Sequence, residues 1–223
     1  MPSRSAKVSR DLVHHPVFAR FYARQSVVAE KVMHAHREEL LAGISGRVIE
    51  IGAGNGLNFA SYPSTVSEVV AIEPERLLRQ LAAKAARHAE VPVDVVPGAA
   101  EALPVKSEAF DAVVFSLVLC SVRGVERSLA EALRVLRPGG ELRFLEHGLA
   151  PSGRGMPAAQ RALDRTVWPL LFGGCHVARE PLAAIEAAGF EVTTYRRLLI
   201  PERGPRLPTS YCVLGTARRP LGV

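Results

Sequence analysis

From residue 46 onward the chain alternates two hydrophobic periods: short unbroken apolar runs, and longer stretches in which apolar residues recur every three or four positions. The unbroken runs read as buried strands at 48–51, 68–72, 91–96, 110–115, 141–145, 190–195 and 210–215. Between them, Leu77, Leu78, Leu81 and Ala85 form a helical stripe with Arg76, Arg79, Lys84 and Arg87 around it. Val125, Leu129, Leu133 and Leu136 form another, which stops at Arg137-Pro138-Gly139-Gly140. Leu57 to Tyr62 predicts a short helix cut off by Pro63, and Pro74 takes the first position of the helix after the second strand. Strand and helix in alternation build a parallel sheet with both faces covered. The last two strands are joined by a Pro- and Gly-rich loop with no room for a crossover helix, so the final strand is expected to pair antiparallel.

Ahead of the first strand, Pro16 opens a helix that gathers Val17, Phe18, Phe21 and Tyr22 on one inward-looking side. A second helical pattern, Val28 to Leu41, stops at Gly43, so two helices are expected there. The division that follows is N-terminal helices over 1–44 and a main domain over 45–223. A helical segment at about 150–188 is inserted before the last two strands and carries the only Trp, Trp168, beside Pro169, Leu170, Leu171 and Phe172. That apolar helix is either a wall for a greasy ligand or a staple holding the segment to the sheet.

Composition narrows the class. A chain of 223 residues, 48% hydrophobic and 22% charged, buries a sizeable core as one domain, and no apolar run approaches the roughly 20 residues of a membrane span. The basic start has no apolar signal core behind it, so a soluble, cytoplasmic protein is expected. The formal charge of +6 resolves into +4 over residues 1–47, −3 over 48–195 and +5 over 196–223, with no interleaved aromatics to stack bases. Solvated basic ends, not a nucleic-acid track, are the reading. Cys120, Cys175 and Cys212 are odd in number and widely spaced, which predicts buried free thiols and neither a disulfide framework nor a zinc motif.

The chemistry gathers at Val48-Ile49-Glu50-Ile51-Gly52-Ala53-Gly54-Asn55-Gly56, a strand that runs into alternating glycines. Backbone N–H groups in such a turn approach a ligand with no Cβ in the way. The spacing is not that of a pyrophosphate loop, and Glu50 ahead of it would repel phosphate and welcome an ammonium. Nineteen residues past Gly54, the second strand ends on Glu73, whose carboxylate can accept both hydroxyls of a ribose. The ligand these features describe is a nucleoside with an amino-acid tail. Ser116 and Leu117 close the fourth strand, at the edge where open α/β sheets bind ligands, and Glu146 and His147 close the fifth.

VIEIGAGNG, VVAIEPE, GAAEALPV, FDAVVFSLVLCSV and LRVLRPGGELRFLEHG, in that order, resemble the class I S-adenosylmethionine-dependent methyltransferases over roughly residues 45 to 216. The resemblance implies a Rossmann-like, seven-stranded sheet, mostly parallel, with helices on both faces, and S-adenosyl-L-methionine as cofactor. It implies cofactor contacts from Glu50, Gly52, Gly54, Asn55, Glu73, Pro74, Ala99, Ala100, Glu101, Ser116 and Leu117, with Tyr22 reaching in from a lid of N-terminal helices. Many relatives carry an acid directly after Gly98 for the adenine amino group; here the position is Ala99, so backbone groups around Ala99 and Ala100, or Glu101, must serve.

His147 is the first candidate base and His176 the second; His14 and His15 could reach the pocket under a folded lid. No metal is expected, although His147, Cys175 and His176 have ligand chemistry. SLVLCSV, LRFLEHG and LDRTVWPLLFGGCHVARE further resemble the microsomal alkyl-thiol S-methyltransferases of animals, whose N-terminal membrane anchor has no counterpart in this sequence. The implied reaction is S-methylation of a small lipophilic thiol by a monomer or homodimer. O-methylation of a hydroxyl or carboxyl, quinone-type C-methylation, and a non-catalytic cofactor-binding regulator stay open.

Overall fold

A computed structural model describes residues 16–151 and 155–222; His14 and His15 lie outside the described residues. Seven strands form one sheet: β1 (Gly46–Ile51), β2 (Val66–Ile72), β3 (Val93–Val96), β4 (Phe110–Ser116), β5 (Leu136–His147), β6 (Glu191–Leu199) and β7 (Tyr211–Arg218). Their order is β3-β2-β1-β4-β5-β7-β6, parallel throughout except that β7 runs antiparallel to both β5 and β6. The expected hairpin is present, and its returning strand slots in beside β5. Strand β4 is the middle of the sheet, and Ala112, Val113, Val114 and Phe115 are all buried there.

Side-chain alternation along the strands divides the core into two layers. Val48, Val69, Ala71, Ala112, Val114 and Leu145 pack beneath α1 (Pro16–Leu41) and α2 (Arg76–Ala86) through Met33, Leu40, Leu41 and Ala82. Ile49, Ile51, Val70, Val113, Phe115 and Phe144 face the other way, against α3 (Val125–Val135) and, beyond α4 (Met156–Asp164) and α5 (Trp168–Leu171), α6 (Pro181–Ala187) through Leu129, Ala132, Val135 and Ile185. Each such fully buried Leu, Ile or Phe contributes about 1.5–3 kcal/mol over leaving it in water.

Several local expectations are corrected. The two N-terminal helices are one continuous 26-residue helix, α1, because nothing between Val17 and Leu41 is Gly or Pro and Ser26 turns its hydroxyl onto the Ala23 carbonyl at 3.4 Å. Its aromatic side is narrower than expected: Phe18 and Tyr22 face inward one turn apart, with ring centroids 5.8 Å apart, whereas Val17 and Phe21 are exposed. The Leu57–Tyr62 helix shrinks to a single 3-10 turn at Phe59–Ser61. Pro74 lies outside α2, whose N-cap is Glu75 with its carboxylate accepting from the Leu77 N–H. Finally, α3 ends at Val135 and β5 begins at once, since Leu136 already pairs with Phe110.

Candidate active site

Strand order reverses between β1 and β4, and the crevice opens there, along the carboxyl ends of β1 to β4. It holds ≈ 260 Å³, far beyond the ~10–15 Å³ a single water needs. Its floor is the glycine turn. Gly52 (φ +71°) closes so near the turn after β4 that a Cβ would meet Val118 Cγ2 at 2.6 Å, and a Cβ on Gly54 (φ +58°) would press on the Tyr22 ring at 3.3 Å. The cradle is therefore open only because both positions lack side chains.

Glu73 lines the crevice at the end of β2 and is buried. Each carboxylate oxygen already accepts a backbone N–H, Oε2 from Gly54 and Oε1 from Glu75, both at 2.8 Å. Each keeps a second lone pair for a ligand hydroxyl. Burial pushes its pKa up to about 7 against these two N–H groups. Arg79 fixes the turn that carries it, donating to the Glu73 and Pro74 carbonyls at 2.9 and 3.0 Å.

Of the residues expected at the cofactor, Tyr22, Gly52, Gly54, Glu73, Pro74, Ala99, Ala100, Glu101 and Leu117 line this crevice. Glu101 also ties two loops together, its Oε1 accepting the Arg123 and Gly124 N–H groups at 2.9 and 3.2 Å. Leu117 holds a left-handed φ of +60°, costly for a branched side chain and fixed by its N–H to the Leu145 carbonyl at 2.7 Å.

Glu50, Asn55 and Ser116 are not among the lining residues. Glu50 lies behind the crevice, accepting from Asn58 Nδ2 at 2.7 Å and Tyr62 OH at 2.8 Å, and burial raises its pKa to about 7. Arg37, buried in α1, donates to Asn58 Oδ1 at 2.7 Å and Ser116 Oγ at 3.3 Å, so α1, β1 and β4 are locked through one polar chain. Asn55 donates to Ser26 Oγ at 3.0 Å, a second tie between α1 and the glycine turn.

Neither candidate histidine lines the crevice. His176 pairs with Asp164 at 3.5 Å, and Asp164 also accepts the Val177 and Ala178 N–H groups. His147 sits among the thiols of Cys120 and Cys175, the latter 3.8 Å from Nδ1. Burial opposes charge on its ring, but contact with Cys120 and the nearby Glu146 outweigh that and raise its pKa. Glu146 is wholly buried and accepts the N–H groups of Val118, Leu119 and Cys120, so it shapes the exit from β4. Trp168 stacks on Phe172 with centroids 4.1 Å apart and packs with Cys120, Cys175 and Val177, which is the staple arrangement; Gly173 and Gly174 are what this segment gives to the crevice.

Sequence reasoning missed Arg37, Gln160 and Asp164. Arg37 had a signal, since it shares the stripe of Met33, Leu40 and Leu41, all buried. Gln160 had none: it is fully buried and bonds Gly148, Ala150, Val177 and Pro208, residues far apart in the chain.

A seven-stranded sheet with this order, a glycine cradle after β1 and an acid closing β2 make the Rossmann-like fold and the cofactor cradle of the class I methyltransferases. Residues 49–144 match the family described as "Methyltransferase domain". The human thiol S-methyltransferase TMT1A is 35% identical over 195 residues, covering 82% of this chain and 79% of the relative. The mouse thiol S-methyltransferase TMT1B is 35% identical over 184 residues, covering 78% and 75%. Among solved structures, the methyltransferase of a Haloferax volcanii activator complex superposes with a TM-score of 0.68 at 13% identity, over 91% of this chain and 97% of that one, a likeness of fold. The chain belongs to the S-adenosylmethionine-dependent methyltransferase family that contains the thiol S-methyltransferases TMT1A and TMT1B. Among the described residues no helix is long and apolar enough to cross a membrane.

Proposed function

We propose that this enzyme methylates the sulfur of a small lipophilic thiol. The observation that carries the proposal is the apolar lining of the crevice where the Phe18 ring lies against Gly173 and Val118 lies against Gly52. Ser121, which lines the crevice beside Gly174, is no base of useful strength. An acceptor that ionises by itself near neutrality suits such a lining, and a thiol, with a free pKa near 8.5, does so where an alcohol does not. The names of the relatives support the same chemistry.

S-adenosylmethionine, when bound, supplies a methyl group on a positively charged sulfur. The residues present fit it. Gly52 and Gly54 leave room for its backbone-side approach, and Glu73 has lone pairs left for two ribose hydroxyls. Ile72 and Leu78 offer apolar contact to the base, and the loop of Ala99, Ala100 and Glu101 flanks it. Glu101 Oε2 accepts no hydrogen bond from the described residues and suits the adenine amino group, the contact that relatives obtain from the position of Ala99. Glu50 acts from behind, through Asn58 and Arg37, by holding the glycine turn against α1. The first two turns of α1, with Phe18 and Tyr22, form the lid, and Gly173 and Gly174 close the acceptor side.

The test is a turnover screen of small thiols, phenols and carboxylic acids read by release of S-adenosylhomocysteine. Lipophilic thiols are expected to turn over fastest, with a rate that rises from pH 6 to 8.5 as thiolate accumulates. Turnover of phenols with none for thiols would overturn the thiol assignment in favour of O-methylation.

A further inference from the structure

We propose that Cys120, His147 and Cys175 form a binding site for a soft d¹⁰ cation, zinc above all, which ties the loop carrying Gly173 and Gly174 to the carboxyl ends of β4 and β5. The three residues come from three separate places: the turn after β4, the last position of β5 and the loop after α5. One ligand atom from each, two sulfurs and a ring nitrogen, lies within 4.8 Å of the others. Tetrahedral zinc with Zn–S near 2.3 Å and Zn–N near 2.0–2.1 Å sets its ligands about 3.6–3.8 Å apart. The 3.8 Å between Cys175 Sγ and His147 Nδ1 already meets that spacing.

The ligand set selects the metal. Two thiolates and an imidazole suit zinc, whereas magnesium and calcium want oxygen, and no carboxylate joins the three. Three protein ligands leave the fourth position open, as in zinc sites that take water or a ligand sulfur.

The surroundings also fit an ion. The Trp168 indole N–H is buried with no hydrogen-bond partner among the described residues, and its ring packs with Cys120 and Cys175. Arg179 donates to the Leu119 carbonyl and Glu146 accepts the Cys120 N–H, so both flank the turn that carries Cys120. Two thiolates and one divalent ion are neutral together, so binding adds no net charge to this buried place. Asp164, engaged with His176 and two backbone N–H groups, stands behind Cys175 and takes no ligand position. Cys212, though it pairs in register with His147, is outside the group and turns its thiol to the Thr209 carbonyl.

The sole tryptophan of the chain stands at the site and reports on it. Fully reduced, metal-stripped protein is titrated with cobalt(II), then with zinc, at pH 7.5. One equivalent of cobalt is expected to give a thiolate-to-cobalt charge-transfer band and to quench Trp168 fluorescence, and zinc should displace it. Cys120→Ser and Cys175→Ser should each weaken binding by more than the roughly 10–100-fold that loss of an outer partner costs, and Cys212→Ser should leave it unchanged. Should the first two variants fail to fold, the wild type decides alone: zinc should slow alkylation of Cys120 and Cys175, mapped by mass spectrometry, and leave Cys212 at its own rate. Absence of the charge-transfer band, or equal protection of all three cysteines, overturns the site. None of these readouts depends on which acceptor the enzyme methylates.

Discussion

Glu73 is the residue on which cofactor affinity should turn. Its carboxylate has already lost its water and keeps only lone pairs for a ligand. Glu73→Ala is expected to weaken S-adenosylhomocysteine binding by 1.5–3 kcal/mol, roughly ten- to a hundredfold, the worth of hydrogen bonds to a charged group. Calorimetry measures this, and an unchanged affinity in a folded variant would remove Glu73 from the site. The same residue sets a pH dependence. With burial holding its pKa at about 7, the wild type should bind more weakly at pH 6 than at pH 8, because the acid form offers a proton where the ligand also offers one. In Glu73→Gln that pH difference should shrink. Glu73 was legible in the sequence because an acid ending an apolar strand nineteen residues past a glycine turn has few other uses. Arg37 was legible only through the stripe it shares with Met33, Leu40 and Leu41, because long cations are seldom buried; its partners Asn58, Glu30 and Ser116 make its position tolerable.

At the scale of elements, α1 does two things along its length of about 39 Å. Its second half is core, through Met33, Leu40 and Leu41, while its first two turns bring Phe18 and Tyr22 over the crevice. The halves are separable because the apolar anchors Met33, Leu40 and Leu41 and the Ser26 tie to Asn55 all lie beyond residue 25. Deleting residues 1–25 is expected to leave a folded sheet with cofactor affinity reduced and kcat/KM lowered roughly tenfold to a hundredfold, since water then reaches the site. Full activity of the truncated protein would sink the lid. Tyr22→Phe, which keeps the ring against Gly54, should lose much less than Tyr22→Ala. The helix was visible in the sequence and its continuity was not, because a polar Gln25-Ser26 step reads as a break until Asn55 is seen to bond the Ser26 hydroxyl.

The whole molecule combines a legible sheet with illegible polar joints. Strand runs, the glycine turn and the short final loop dictated the sheet and its antiparallel last strand, since burial on both faces leaves apolar runs little other place. The joints come from residues scattered in sequence: Glu50 with Asn58 and Tyr62, Glu146 with the turn after β4, Gln160 with four backbone groups. Their number gives the protein an unusual pH response. Burial raises Glu50, Glu73 and Glu146 each to about 7 from an ordinary value of 4.5. The folded chain then holds protons that the unfolded chain has released, so this stability is fully present below pH 4.5 and is lost as pH rises through about 7. Glu39 and Glu131, lowered by hydrogen bonds from Arg196 and Arg134, act in the opposite sense and lose their contribution below pH 4.5. Between the two, maximum stability should fall on the acid side of neutrality. For ligand-free protein, melting monitored by circular dichroism is expected to show Tm falling from pH 5 to pH 8. Glu50→Gln isolates one member of the set: the amide keeps an acceptor for Asn58 and offers a donor to the Tyr62 oxygen, but it cannot titrate. Its melting curve should lose roughly a third of the wild-type slope with pH, one of three similar groups being silent. A slope identical to wild type would mean that Glu50 is ionised throughout, and that the Arg37–Asn58 chain stabilises its charge against burial.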